Sequence, residues 1–140
     1  MPNVRAVVAI VDDDKSVREA LGGLLRALDF AVDAFASPQE FLLSTRLACV
    51  GCLIVDFNMP GMNGLDLHRR LLVEGYAIPT ILITAYPSDS LRDRALESGI
   101  YSYLIKPFNE DSLVDSIREA LMAVNGFPSG SSSSVIGDEG

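Results

Sequence analysis

The segment Leu53–Gly64, with the sequence LIVDFNMPGMNG, organises the fold predicted for this chain. Three apolar residues lead into Asp56, and a loop rich in Pro, Gly and Asn follows at once. A short apolar run closed by turn residues is typical of a buried central strand, predicted here over residues 52–56. Asp56 then stands at the carboxyl end of that strand, the edge at which open α/β sheets bind ligands.

Apolar runs alternate with helical patterns through most of the chain. This alternation predicts an α/β fold, a doubly wound five-stranded parallel sheet of the flavodoxin-like type, in the order 2-1-3-4-5 with five helices. The predicted strands span residues 6–11, 31–35, 52–56, 80–84 and 101–105. The predicted helices span about 15–28, 37–47, 65–75 and 88–98, and a last one follows Asn109 to about 124.

Two stretches are expected to be less firmly structured than the rest. The fourth helix has a thin apolar stripe of Leu91, Ala95 and Leu96, so we expect it to be the least firmly packed. Residues 1–125 are predicted to form one domain, and the Gly/Ser-rich segment 126–140 a disordered tail or linker. Whether the chain is stand-alone or cut at this linker stays open.

The composition limits the possible classes of protein. A length of 140 residues and a hydrophobic fraction of 49% suit one domain with a full core. The net charge of −8 argues against direct binding of nucleic acid, which calls for a basic face. Without a long apolar run or a signal peptide, we expect a cytoplasmic protein with no membrane partner.

Five polar residues follow or end the central strands of the predicted sheet: Asp12, Asp13, Asp56, Thr84 and Lys106. Carboxylates about 4 Å apart repel by about 4 kcal/mol at an effective dielectric near 20, so this group calls for a cation. Oxygen ligands favour Mg²⁺, which shares its coordination with phosphate groups. A carboxylate nucleophile, a metal, an ammonium and a hydroxyl together suit phosphoryl transfer.

At these residues the chain resembles the receiver domain of two-component response regulators, over about residues 4–124. The similarity rests on four motifs in order: the acidic pair Asp12-Asp13, the D-x-x-M-P-x-x-x-G loop from Asp56 to Gly64, Thr84-Ala85, and Lys106-Pro107-Phe108. It implies a signalling switch rather than an enzyme, one that catalyses only its own phosphorylation and dephosphorylation.

The resemblance implies a role for each residue of the site. Asp56 is the phosphoacceptor, and Asp13 and Asp56 bind Mg²⁺ together with the backbone carbonyl of Asn58. Asp12 acts on the metal largely through water. Lys106 pairs with the phosphoryl oxygens, and the Lys106-Pro107 peptide bond is cis.

The resemblance also implies a switch and partners. Thr84 hydrogen-bonds to the phosphoryl group, and Tyr103 swings inward as Thr84 moves. The face formed by the fourth helix, fifth strand and fifth helix then changes shape, and family members often form homodimers through it. A sensor histidine kinase donates the phosphoryl group and docks near the first helix and the Pro107-Phe108 loop.

Several alternatives remain. In a haloacid-dehalogenase-type phosphatase, Asp12 would be the nucleophile and Asp14 the acid, although Asp14 also suits a helix cap. A receiver-like module that never takes phosphate and a flavodoxin-like nucleotide binder are further possibilities. Cys49 and Cys52 form a C-x-x-C pair, but Cys52 is predicted to open the central strand, so packing is favoured over redox chemistry. His68 has no metal-binding partner in the sequence and is expected to be solvated or packed.

Overall fold

The computed structural model describes residues 6–124, with side chains to Met122. Its five strands form one parallel sheet in the order β2-β1-β3-β4-β5, which confirms the predicted topology. The strands are β1 (Val7–Val11), β2 (Ala31–Phe35), β3 (Val50–Asp56), β4 (Thr80–Thr84) and β5 (Ser102–Ile105). The helices are α1 (Lys15–Ala27), α2 (Pro38–Leu42), α3 (Gly64–Val73), α4 (Asp89–Glu97) and α5 (Glu110–Val124). The predicted tail over 126–140 lies outside the described residues.

The sheet is buried between two helical layers because successive strand residues point to opposite faces. Along β3, Leu53 and Val55 face one apolar cluster and Cys52 and Ile54 the other. The first cluster includes side chains of α2, α3 and α4, and the second those of α1 and α5. This arrangement holds the central strands rigidly and leaves their carboxyl ends open at one edge.

The predicted extent of α2 is wrong, because the helix ends at Leu42 rather than near Leu47. Phe41 is fully buried against the edge of Phe35, at a ring separation of 5.2 Å, whereas Leu43 is 83% exposed. With no further apolar side chain turned inward, the helix has nothing to pack beyond this point. The chain turns and re-enters the core at Leu47, which begins a short 3₁₀ helix ending at Cys49.

The predicted start of β3 is also wrong, because the strand begins at Val50 and Cys52 lies inside it rather than opening it. The pairing with β1 shifts between Val7 and Val8, so that Val7 pairs with Val50 and Val8 with Cys52. Gly51 is the extra residue, and a Cβ atom there would lie 2.6 Å from the Cβ of Ala6. Glycine therefore permits a bulge within the strand.

The helix α4 agrees with its predicted bounds and buries Leu91 and Ala95, whereas Leu96 of the predicted stripe is 57% exposed. Its first turn is capped by Ser88, whose hydroxyl accepts the Leu91 N–H. With only two buried side chains, α4 makes little apolar contact with the rest of the core for a helix of its length. Within residues 6–124, none of the helices has the length and apolarity needed to cross a bilayer.

Candidate functional site

The parallel sheet brings the five predicted polar residues to one edge. Asp12 follows β1, Asp56 and Thr84 are the last residues of β3 and β4, and Lys106 follows β5. The register supports this alignment, because Asp56 pairs with Ile83, and Lys106 donates its backbone N–H to the Thr84 carbonyl at 2.8 Å. Residues far apart in sequence thus converge where an open α/β sheet binds its ligands.

Three carboxylates form an acidic cluster at this edge. One oxygen from each of Asp12, Asp13 and Asp56 lies within 4.8 Å of the others. Asp12 and Asp56 are buried, whereas Asp13 is exposed and leaves the cluster open to solvent. A set of hard oxygen donors with an open side fits a Mg²⁺ ion, which retains several waters.

Hydrogen bonds hold Asp12 in a fixed orientation. Its Oδ1 accepts the backbone N–H of Asp14 at 2.9 Å, and its Oδ2 lies 3.6 Å from Lys106 Nζ. Burial raises the pKa of Asp12, against the opposing effects of the Asp14 N–H and the Lys106 charge. The Asp14 carboxylate caps α1 by accepting the N–H groups of Ser16 and Val17. It is therefore engaged with the backbone, which argues against its use as the acid of a phosphatase.

One carboxylate oxygen of Asp56 accepts no hydrogen bond from the described part of the chain. Its Oδ1 is buried, has no hydrogen-bond partner among residues 6–124, and lies 3.8 Å from Lys106 Nζ. Burial and then the charge of Asp12 raise the pKa of Asp56, while Lys106 and the backbone N–H of Asn58 oppose that rise. A carboxylate oxygen stripped of hydrogen bonds is available to bond to a metal or a phosphorus atom.

The turn that follows β5 places the Lys106 ammonium beside Asp56 Oδ1. The Lys106-Pro107 peptide bond is cis, and the Lys106 side chain is 25% exposed. Its ammonium lies between the two buried carboxylates, within 4 Å of each. One positive charge therefore faces both Asp12 and Asp56.

Thr84 is fully buried and its hydroxyl has two partners. The hydroxyl donates to Asn58 Oδ1 at 3.0 Å and accepts the backbone N–H of Tyr86 at 3.0 Å. The sequence did not predict this side-chain contact between Asn58 and Thr84. No periodicity or spacing signals a bond between a loop side chain and the last residue of a strand 26 residues further on.

The loop after Asp56 folds back on the strand it leaves. Phe57 donates its N–H to the Ile83 carbonyl at 2.7 Å, and Gly64 donates to the Phe57 carbonyl at 3.3 Å. A Cβ atom on Gly64 would lie 2.7 Å from the Asp56 carbonyl oxygen, closer than such atoms approach. The glycine of the loop motif therefore lets α3 begin directly against the backbone of Asp56.

Tyr103 lies on β5, and its ring packs against the same apolar cluster as α4. Its hydroxyl is buried and has no hydrogen-bond partner within residues 6–124. A buried hydroxyl without a partner is unfavourable by about 1–3 kcal/mol. The observed position of the Tyr103 ring is therefore less favourable than one in which its hydroxyl forms a hydrogen bond.

Residues 8–118 match the sequence model of a family described as the response regulator receiver domain. The chain is 38% identical over 121 residues to the response regulator protein TodT of Pseudomonas putida, covering 86% of this chain and 53% of TodT. It is 41% identical over 122 residues to the response regulator protein TmoT of Ectopseudomonas mendocina, covering 86% of this chain and 55% of TmoT. The chain thus spans about half the length of these relatives.

The fold agrees with solved structures of the same kind. The crystal structure of a response regulator receiver protein from Burkholderia phymatum matches with a TM-score of 0.72 and 39% identity. The match covers 84% of this chain and 96% of that one. Sequence, topology and the acidic edge of the sheet therefore lead to one family.

Proposed function

Because this chain belongs to the response regulator receiver domain family, we propose that Asp56 accepts a phosphoryl group from a sensor histidine kinase and thereby switches a surface of the domain. The observation that carries the proposal is the Asp56 Oδ1 atom, which is buried, has no hydrogen-bond partner within residues 6–124 and lies 3.8 Å from Lys106 Nζ. Its attack on phosphorus forms a P–O bond, and the P–N bond to the kinase histidine breaks with its electrons moving onto the imidazole.

Mg²⁺ is the proposed cofactor, held by the carboxylates of Asp13 and Asp56 and by the Asn58 backbone carbonyl, with Asp12 acting on it largely through water. The close approach of three oxygen donors supports this assignment. When bound, the ion neutralises charge on the transferring phosphoryl group. Lys106 supplies a second positive charge for the phosphoryl oxygens, and Thr84 supplies a hydroxyl donor.

The proposed switch runs from Thr84 to Tyr103. Thr84 moves toward the phosphoryl group, and Tyr103 responds to the space that Thr84 leaves. The small buried area of α4 and the unpaired hydroxyl of Tyr103 support a face that changes arrangement at low cost. That face comprises α4, β5 and α5, and we propose that it contacts an output partner or a second copy of the domain. Its exposed apolar residues include Leu96 and Ile105.

The kinase is proposed to dock beside the active site, at α1 and the loop after β5. An apolar cavity of about 540 Å³ lies there, next to Lys106. Its lining includes Val17, Leu21, Leu24, Pro107 and Phe108. A kinase helix presenting apolar residues to this groove would bring its phosphohistidine close to Asp56. The net charge of −8 supports the further proposal that the domain does not itself bind nucleic acid. Membership of the receiver domain family supports the proposal that it acts in the cytoplasm.

The test is the intact mass of the protein after incubation with acetyl phosphate, with Mg²⁺ or with EDTA. We expect one phosphoryl adduct that requires Mg²⁺ and is absent from Asp56→Asn. An adduct of the same size on Asp56→Asn would contradict the proposal. Release of inorganic phosphate that stops in Asp12→Asn but continues in Asp56→Asn would favour the phosphatase alternative instead.

A further inference from the structure

We infer that the Asn58 side chain is a latch that holds the Thr84 hydroxyl in the unphosphorylated protein and opposes its capture by the phosphoryl group. The inference rests on the proposed function, because it concerns the regulation of the same site. It assigns to the Asn58 carboxamide a role separate from that of its backbone carbonyl.

The Thr84 hydroxyl has no free proton to offer a phosphoryl group. A hydroxyl has one proton to donate, and here that proton goes to Asn58 Oδ1 at 3.0 Å. The lone pairs of the same oxygen receive the Tyr86 N–H at 3.0 Å. Thr84 therefore cannot donate to a phosphoryl oxygen until it releases Asn58.

Asn58 and Thr84 lie at neighbouring strand ends at the edge of the sheet that carries Asp56. Asn58 lies two residues beyond Asp56, and Thr84 ends the neighbouring strand, in which Ile83 pairs with Asp56. The Asn58–Thr84 hydrogen bond thus spans the ends of β3 and β4, next to the carboxylate that receives the phosphoryl group. The carboxamide oxygen and a phosphoryl oxygen on Asp56 are alternative acceptors for one proton.

The two acceptors available to the Thr84 hydroxyl differ in hydrogen-bond strength. Hydrogen bonds to charged acceptors are stronger than neutral ones, so the Thr84 hydroxyl binds a phosphoryl oxygen in preference to Asn58. The free energy gained is only the difference between the two hydrogen bonds, because the bond to Asn58 is lost. Asn58 is exposed, and water replaces part of what its side chain provides. Removing the carboxamide should therefore tighten the binding of a phosphoryl mimic by about threefold to tenfold.

The experiment is a double-mutant cycle with beryllofluoride, a phosphoryl mimic, titrated in Mg²⁺ and followed by fluorine NMR. The wild type is compared with Asn58→Ala, each in three backgrounds: Thr84, Thr84→Ser and Thr84→Ala. The serine variant keeps the hydroxyl and the alanine variant removes it. Alanine at position 58 keeps the backbone carbonyl. Thermal melts verify that each variant is folded.

We expect Asn58→Ala to tighten beryllofluoride binding in the Thr84 and Thr84→Ser backgrounds and to have no effect in the Thr84→Ala background. Unchanged or weaker binding by Asn58→Ala in the Thr84 background would overturn the latch. So would equal tightening in all three backgrounds, since Asn58 would then act without Thr84. In each of these cases wild-type binding that is lost in Asp56→Asn leaves the proposed function intact. A wild type that binds no beryllofluoride would overturn both.

Discussion

The imidazole of His68 is hydrogen-bonded to the residue that follows and caps α4, since its Nε2 donates to the Ser98 backbone carbonyl at 2.8 Å. The ring is buried, and its Nδ1 lies 3.0 Å from the hydroxyl oxygen of Thr80, the first residue of β4. One side chain of α3 therefore joins the end of α4 to the start of the strand that carries Thr84. The sequence expectation that His68 is packed or solvated did not anticipate this link.

Replacing His68 by leucine should destabilise the domain by about 1–3 kcal/mol, mainly because the partly buried Ser98 carbonyl loses its donor, while the Thr80 hydroxyl keeps its bond to the Ile78 carbonyl. Urea unfolding measures the loss, and amide hydrogen exchange should rise in the last turn of α4. Arg69→Ala is the matched control. The Arg69 guanidinium also donates hydrogen bonds to Ser98, at the side-chain Oγ of the serine, but Arg69 is exposed. Its cost should stay within about 0.5 kcal/mol. Equal losses in the two variants would contradict a specific role for His68.

Asp56→Asn should stabilise the protein at pH 7 in EDTA. Burial and the Asp12 charge raise the pKa of Asp56 in the folded state, so its ionisation opposes folding. For a raised folded-state pKa, the favourable contribution is complete below the unfolded value of about 3.9 and is lost as the pH rises through the folded value. The advantage of the variant should therefore shrink as the pH falls toward about 4.

Urea unfolding at a series of pH values measures this difference. Asp13→Asn, at the exposed member of the cluster, serves as control and should change the unfolding free energy by no more than about 0.5 kcal/mol. A less stable Asp56→Asn at pH 7 would mean that attraction to Lys106 outweighs burial and repulsion. The sign of the change therefore decides which of these effects dominates.

The two thiols should differ sharply in reactivity. Burial raises the pKa of Cys52 to about 12, whereas Cys49 is exposed. The thiolate is the reactive form, so at pH 8 a thiol reagent should modify one cysteine in the native protein and two after unfolding. Cys49→Ser should then react only when unfolded. Rapid modification of both thiols in the native wild type would revive the redox interpretation of the C-x-x-C pair.

The strand order and the convergence at the sheet edge were predictable because they follow from local signals. Apolar runs closed by turn residues locate strands, and parallel strands bring their ends together, so Asp12, Asp56, Thr84 and Lys106 had to meet. Helix starts also follow local signals, because capping residues lie next to the helices they cap: Asp14, Ser37, Ser88 and Asn109 each accept a backbone N–H from the first turn of the helix that follows.

What sequence could not give depends on contacts between distant residues. The bulge at Gly51 arises from the shifted pairing of β3 with β1, and a glycine before an apolar run looks like the end of a loop. The early end of α2 depends on where the core stops. The Asn58–Thr84 and His68–Ser98 bonds depend on side-chain orientations that no spacing encodes. Asn58 matters most for function, because its bond lies at the proposed site of phosphorylation.

Gly64→Ala tests whether the close approach of α3 to Asp56, the proposed phosphoacceptor, is required. The new Cβ would lie 2.7 Å from the Asp56 carbonyl oxygen and 2.8 Å from Leu82 Cδ1, so the helix or the strand end must shift. We expect a loss of about 1–3 kcal/mol in unfolding free energy and slower labelling by acetyl phosphate, since Asp56 moves with its backbone.

Gly23→Ala provides the matched control for this substitution. Gly23 lies within α1, and a Cβ atom added there would meet nothing within 4 Å among residues 6–124 apart from its own helix backbone. Alanine should therefore stabilise the helix by up to about 1 kcal/mol and leave labelling by acetyl phosphate unchanged. If Gly64→Ala were as stable and as readily labelled as Gly23→Ala, contact between α3 and the Asp56 backbone would not be what holds the Asp56 carboxylate in position.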